Sequence, residues 1–272
     1  MLSRVIPSSD ELLPVIGLGT YKNFNVEYTP DAASNLTAVL DSMNQLGGTL
    51  IDSSPMYGKS ESMIGQLTSL MPAKNDFFYA TKVWINGASD GIKQMQQSMQ
   101  LMNRETLDLI QVHNLLDYRT HLKTLRQWKE EGKVRYIGIT HYTTFAHEEL
   151  ERIIRSERPD FVQFNYSIGV RNAEKRLLHT ALDFGTAVII NEPFEKGTLF
   201  NMVEGKALPE WAAAYQIENW SQYFLKYIIS HPAVNVVIPA TTSASHAKSN
   251  MLAGYGTMPD EEVRKQMRDY LF

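Results

Sequence analysis

Eight short apolar runs, rich in β-branched and aromatic residues, punctuate the chain and constrain its fold more than any other feature. They are PVIGLGT (14–20), TLIDSS (49–54), FFYATKV (77–83), LDLIQVH (107–113), YIGIT (136–140), FVQFNYS (161–167), AVIINEPF (187–194) and VVIPAT (236–241). Their starts are mostly about 25 to 35 residues apart, close to the span of one βαβ unit. Segments with helical periodicity lie between them. Ala33, Leu36, Val39, Leu40, Met43 and Leu46 form one apolar stripe, and Leu122, Leu125 and Trp128 begin another. Gly47–Gly48 and Gly132 follow these stripes, as helix-ending glycines do.

Near-continuous apolar strands alternating with helices imply a parallel sheet covered on its outer side. Eight units without a break in composition point to a closed (β/α)8 TIM barrel rather than an open sheet, and the 272-residue length is near the usual size for one. With no linker or low-complexity stretch, residues 1–272 read as a single domain. Ahead of the first unit, RVIPSSDELLPVI reads as an N-terminal β-hairpin, turning at Ser-Ser-Asp and capping the barrel floor. The longest interval, before the eighth run, should hold an extra loop, EKGTLFNMVEGK, and then a tryptophan-rich helix over 210–230.

A net charge of -4 gives no reason to expect nucleic acid or an anionic membrane as partner. The absence of cysteine removes disulfides, thiolate nucleophiles and cysteine metal sites together. No apolar run reaches the roughly 18 residues of a membrane span, and Met1 to Asp10 lacks the apolar core of a secretion signal. A soluble cytoplasmic monomer is the expectation.

In such a barrel, functional groups stand at the C-terminal ends of strands and in the loops that follow. Asp52 closes the second run, Lys82 the third and His113 the fourth, while Tyr57 lies in the loop five residues beyond Asp52. Taken singly, each has an ordinary reading: a helix-capping acid, a packed tyrosine, a solvent-reaching lysine, a satisfied core histidine. Jointly they aim an acid, a base and an imidazole at one mouth. An ammonium after an apolar run is costly unless paired.

The stretches IDSSPMYGKSESMIG, YATKVW and LDLIQVHN resemble the active-site signatures of the aldo-keto reductase family. VIGLGT, YIGITHY, VQFNYS and VVIPAT match further family segments in order, so the resemblance covers nearly the whole chain. It implies reduction of aldehyde or ketone carbonyls to alcohols by a reduced nicotinamide, with Tyr57 as general acid. Lys82 is then expected to pull the phenol pKa down. Asp52 would keep Lys82 charged, and His113 would position the substrate oxygen while adding charge stabilisation.

On the cofactor side, the resemblance places Gly19, Thr20, Tyr21 and Asp52 beside the dinucleotide, with Thr140, His141 and Gln163 around the carboxamide. His141 replaces the usual asparagine, and Asn191 stands where many members carry a stacking aromatic. Pro193, Phe194, Gly197 and Leu199 follow in the next loop, with Phe194 offset from the stacking position. Thr241, Thr242, Ser243, His246 and Asn250 would line the adenosine phosphate site, where a helix N-terminus favours anions. The resemblance implies NADPH, but the family's lysine and arginine are replaced there by Ala240 and His246, so weaker affinity for it or use of NADH is also possible. The substrate wall is assigned to Phe24, Trp84 and Asn114.

GLGT at 17–20 lacks the third glycine of a Rossmann fingerprint. Three other functions remain open on the residues alone. The departures at Asn191, Ala240 and His246 suit a dinucleotide-binding redox sensor or regulatory barrel with little turnover. Lys82 could form a Schiff base, which a neighbouring Asp52 would disfavour by keeping it protonated. His113, Asp52 and Glu192 could in principle meet in a metal hydrolase, but no H-x-H or H-x-x-E-H spacing occurs, and no metal is expected.

Overall fold

The computed structural model describes residues 1–272. A hairpin opens the chain: β1 (Ser3–Val5) pairs antiparallel with β2 (Leu12–Pro14). The barrel strands are β3 (Leu18–Gly19), β4 (Leu50–Asp52), β5 (Phe78–Val83), β6 (Leu107–His113), β7 (Val134–His141), β8 (Phe161–Asn165), β9 (Ala187–Asn191) and β10 (Val236–Val237). They pair in sequence order and in parallel. Parallel bridges Ile16↔Val237 and Gly19↔Ala240 bring the first strand against the last and close the barrel. The expected eight strands are thus present. The first and last are shorter than their apolar runs, and Pro239, which has no N–H to give, follows closely on β10.

The helices alternate with the strands: α1 (Pro30–Gln45), α2 (Ser60–Ser69), α3 (Ala88–Leu101), α4 (Tyr118–Glu130), α5 (His147–Glu157), α6 (Leu177–Asp183), α7 (Thr198–Met202), α8 (Trp220–Ile229), α9 (Ala244–Leu252) and α10 (Glu261–Leu271). None is long and apolar enough to cross a membrane. On α1, Leu36, Val39, Leu40 and Met43 are buried, which is the stripe read from the sequence. Thr29 caps its first turn by accepting from Ala32 N–H.

The stretch 210–230 departs from expectation. It is not one helix but a 3₁₀ segment, Glu210–Tyr215, followed by α8. Gln216 takes a left-handed conformation (φ 51°), ending the first piece, and the Asn219 side chain caps the second by accepting from Gln222 N–H. The preceding loop also winds into the short α7.

Two apolar layers hold the molecule. The larger lies between sheet and helices. The smaller fills the barrel's lower interior with Leu50, Phe78, Ala80, Leu109, Tyr136, Phe161, Ala187, Ile189, Val236 and Ile238. Ile6 and Leu13 from the hairpin join this inner layer, so the hairpin does plug the floor. Leaving water there costs nothing in unmet hydrogen bonds, because every filler is apolar or, like Tyr136, sends its hydroxyl outward to Ser9 at 2.6 Å. The interior above this plug is polar, and that is where the site lies.

Candidate active site

Alternation along the strands selects which side chains face the axis. Leu50, Phe78, Leu109, Phe161 and Ile189 lie in the inner layer, so Asp52, Lys82, Gln111, His113, Gln163 and Asn191 face the same way above them. Lys82 has no exposed surface and Asp52 only 2%. The Lys82 ammonium donates to Asp52 Oδ2 at 2.6 Å and to the Ser53 carbonyl at 2.7 Å. The other carboxylate oxygen, Asp52 Oδ1, accepts Gln163 Nε2 at 3.0 Å and Gln111 Nε2 at 3.3 Å. Both partners of the ion pair are therefore locked from several strands at once.

Burial alone pushes the Lys82 pKa down, but the adjacent Asp52 carboxylate and the Tyr57 phenol outweigh it and leave it raised. The lysine stays an ammonium. Its Nζ lies 5.0 Å from the Tyr57 ring centre. Tyr57 is partly buried in the turn before α2, with its N–H bonded to the Ser54 carbonyl at 2.9 Å. Gly58 follows at φ +62°, where a Cβ would be strained and would clash with the Asn25 side chain. That glycine lets the loop fold tightly enough to return Tyr57 over the mouth.

Here an expectation is corrected. The Tyr57 pKa is raised, not lowered: burial is the largest cause, the lowering by Lys82 comes second, and the Asp52 charge opposes it. A carboxylate that neutralises much of the ammonium's field also limits its pull on the phenol. His113 is displaced further. Burial, then the charge of Lys82 and the ring of His141, bring its pKa down to about 3. It is a neutral dipole at physiological pH, so any stabilisation it gives a charged oxygen comes from a ring N–H and not from an imidazolium. Its ring centre is 6.0 Å from that of Tyr57, and Trp84 flanks it at 6.3 Å.

Two participants escaped the sequence reading. Ser54 Oγ lies 3.1 Å from His113 Nδ1, and Gln111 reaches Asp52 as described. Gly138 makes room for Gln111, since a Cβ there would come within 2.9 Å of its Cγ. Each follows from period-two alternation: Ser54 is two residues beyond Asp52, and Gln111 is two before His113.

Trp84 (41% exposed) and Tyr21 (52%) stand open beside the site, the latter 5.0 Å from the Tyr57 ring. Phe24 does not. It has no exposed surface and packs in the outer core, so it forms no part of a substrate wall. Asn114, at φ 52°, is partly buried with its Oδ1 unpartnered.

On the cofactor side, Thr20 is buried and donates to the Asp52 carbonyl at 2.9 Å, while Gly19 approaches Ala240. Thr140 Oγ1 donates to Gln163 Oε1 at 3.1 Å, which ties both to the central network. His141 is stacked on Tyr142 (5.6 Å, 7°). Asn191, at the end of β9, has a buried Oδ1 with no partner in the protein. Pro193 and the Leu199 side chain are buried, and Leu199 belongs to the outer core, so only its backbone could meet a ligand. Phe194 packs on Phe200 at 4.9 Å and Phe224 at 6.4 Å rather than standing free to stack. Gly197, at φ 98°, precedes α7. Ser243 caps α9 by accepting from His246 N–H, and Thr241 Oγ1 accepts from Ser243 N–H at 3.0 Å. Thr242 is bonded through its carbonyl to Asn35, Asn250 is buried, and His246 is exposed.

The arrangement suits delivery of a proton beside an orienting neutral imidazole. The chain is similar to known proteins over most of its length. The profile of the Aldo/keto reductase family fits residues 15–267. The chain is 27% identical over 253 residues to methylglyoxal reductase YeaE of Escherichia coli K12, covering 89% of this chain and 86% of that protein. It is 24% identical over 212 residues to the NADH-specific methylglyoxal reductase of the same organism, covering 68% of this chain and 64% of that one. An aldo-keto reductase from Klebsiella pneumoniae, crystallised in complex with NADPH, superposes with a TM-score of 0.80 at 21% identity, covering 100% of this chain and 96% of that one. The chain belongs to the aldo/keto reductase family. It is an NAD(P)H-dependent carbonyl reductase.

The buried pair makes a direct prediction. Lys82→Met strands the Asp52 carboxylate and should destabilise the fold by about 3–5 kcal/mol in urea unfolding, the usual cost of breaking a buried pair from one side. Asp52→Asn combined with Lys82→Met should recover most of that loss without recovering turnover. Equal stability of the single and double variants would contradict the pairing.

Proposed function

We propose that Tyr57 is the general acid of this reductase, that Lys82, Asp52 and His113 serve it, and that its substrates are small aldehydes and α-oxoaldehydes. The observation carrying this reading is the fully buried Lys82 ammonium, held by Asp52 and set 5.0 Å from the Tyr57 ring. A barrel interior has no structural need for such a charge, which costs several kcal/mol to desolvate. Its presence makes sense where a phenolate must form transiently.

The residues at the mouth fit a nicotinamide dinucleotide. The unpartnered Asn191 Oδ1 and the Thr140–Gln163 pair offer the acceptor and donor that a carboxamide needs. The capped start of α9, with Thr241, Ser243 and His246, offers donors to a phosphate. The nicotinamide, when bound, supplies the hydride to the carbonyl carbon. Tyr57 gives its proton to the carbonyl oxygen, so that the product is the neutral alcohol. Lys82 stabilises the phenolate left behind until solvent returns the proton. His113, neutral and open on its Nε2 side, holds the same oxygen in line with the Tyr57 hydroxyl. Trp84 and Tyr21 shield the site and offer flat apolar walls to a small substrate. The names of the two E. coli relatives support α-oxoaldehydes as the substrate class.

We further propose NADPH as the preferred cofactor, as the Klebsiella pneumoniae relative crystallised with it supports, with NADH accepted because Ala240 and His246 supply no guanidinium or ammonium to clamp a 2′-phosphate.

Tyr57→Phe should bind cofactor as before and lose reduction of methylglyoxal by at least about 10² to 10⁴, the usual worth of a general acid. Steady-state absorbance assays with fluorescence titration measure both, and activity within threefold of wild type would remove Tyr57 from the mechanism. His246→Arg should tighten NADPH by about tenfold to a hundredfold, one charge-assisted hydrogen bond, while leaving NADH affinity unchanged. An equal gain for both cofactors would show that position 246 does not face the 2′-phosphate.

A further inference from the structure

We propose that Ser54 is a positioning residue that fixes His113 in the Nε2–H tautomer, so that the imidazole presents a hydrogen-bond donor, and not an acceptor, beside Tyr57. The tautomer follows from counting protons and acceptors at a buried hydroxyl. Ser54 has no exposed surface, and its Oγ has two neighbours within hydrogen-bond reach: His113 Nδ1 at 3.1 Å and the Met56 N–H at 3.4 Å. The Met56 amide can only donate, so it uses the hydroxyl oxygen as acceptor. The hydroxyl proton then has one place to go, which is His113 Nδ1. In the opposite arrangement Nδ1–H would donate to Ser54, and the hydroxyl proton would be sealed in the interior with no acceptor.

Nδ1 is therefore the lone-pair nitrogen. The groups facing the ring keep it neutral: the Lys82 ammonium and His141 both disfavour a second positive charge, and the one nearby carboxylate, Asp52, is already engaged by Lys82, Gln111 and Gln163. A neutral ring carries one N–H, so that proton resides on Nε2. This nitrogen has no partner within the protein and is not among the sealed polar atoms. The rings of Tyr57 and His113 are crossed at 84° with centres 6.0 Å apart, a separation at which one substrate oxygen can accept from both the phenol O–H and the Nε2–H. Two donors at one point suit an oxygen that gains charge as its carbon is reduced. They offer nothing to an ammonium, which has protons to donate and no lone pair to accept with.

The catalytic consequence rests on the carbonyl-reduction reading above; the tautomer does not. The test uses full-length protein carrying ¹⁵N-histidine, with His113→Asn identifying the signal. Long-range proton–nitrogen correlation at pH 7 should show a protonated Nε2 and a bare Nδ1 at His113. Ser54→Ala should mix the two tautomers and lower kcat for methylglyoxal by about tenfold or more, a part of the 10² to 10³ that loss of one oxyanion donor costs. Ser54→Thr, which keeps the hydroxyl, should restore both the spectrum and kcat. A wild-type spectrum with the proton on Nδ1, or a Ser54→Ala protein with unchanged tautomer and kcat, overturns the proposal. A wild-type protein with the Nε2–H pattern and no carbonyl reductase activity would support the tautomer assignment and refute the functional reading separately.

Discussion

An ammonium group with no contact to water sits at the upper end of this barrel, and most of the surrounding design answers the cost of keeping it there. Lys82 is stable as a cation because Asp52 lies 2.6 Å away and the Ser53 carbonyl takes a second proton. The other oxygen of Asp52 accepts from Gln163 and Gln111. Those glutamines are held in turn by Thr140 and by the space that Gly138 leaves open. Residues from β4, β5, β6, β7 and β8 thus share one network. An apolar plug lies below it, and the mouth lies above. The plug matters to the charge as much as the partners do, since it keeps water from competing for the ammonium from beneath.

This network also sets the protonation states of Tyr57 and His113. A lone buried cation would drive the Tyr57 proton off, while a fully neutralised pair would do little. The paired lysine sits between these cases: burial holds the phenol protonated, with its pKa raised, and the ammonium is close enough to steady a phenolate in the role proposed for Tyr57. His113 experiences the same cation as repulsion and stays neutral. One charge therefore sets the state of two neighbours in opposite senses.

Much of this was legible in the sequence because barrels place function at strand ends. Asp52, Lys82 and His113 each close an apolar run, and the parallel register carries them to one mouth. Ser54 and Gln111 were equally available by counting in twos from Asp52 and His113, yet a serine and a glutamine carry too little chemical signal alone to be singled out. Other features were not recoverable. Phe24 lies in a loop, where the direction of a side chain is decided by tertiary packing rather than by period, and it turned into the core. The break between Glu210 and Trp220 depends on Gln216 taking a left-handed conformation, which its residue type does not announce. The direction of the Tyr57 shift required knowing how deeply the ring is buried, a quantity that no spacing encodes.

The account depends on Lys82 being charged in the folded protein, and this can be observed without reference to turnover. With ¹⁵N-lysine incorporated and the Lys82 signal assigned through Lys82→Met, the Nζ resonance is followed from pH 6 upward by nitrogen-detected NMR. The buried pair predicts no titration until the pH passes the ordinary lysine value of about 10.4, because Asp52 and Tyr57 together outweigh the effect of burial. A Lys82 signal that titrates near neutral pH would mean that desolvation wins. The lysine would then be a neutral amine in the working enzyme, and the proposed support of the Tyr57 phenolate would have no charge behind it.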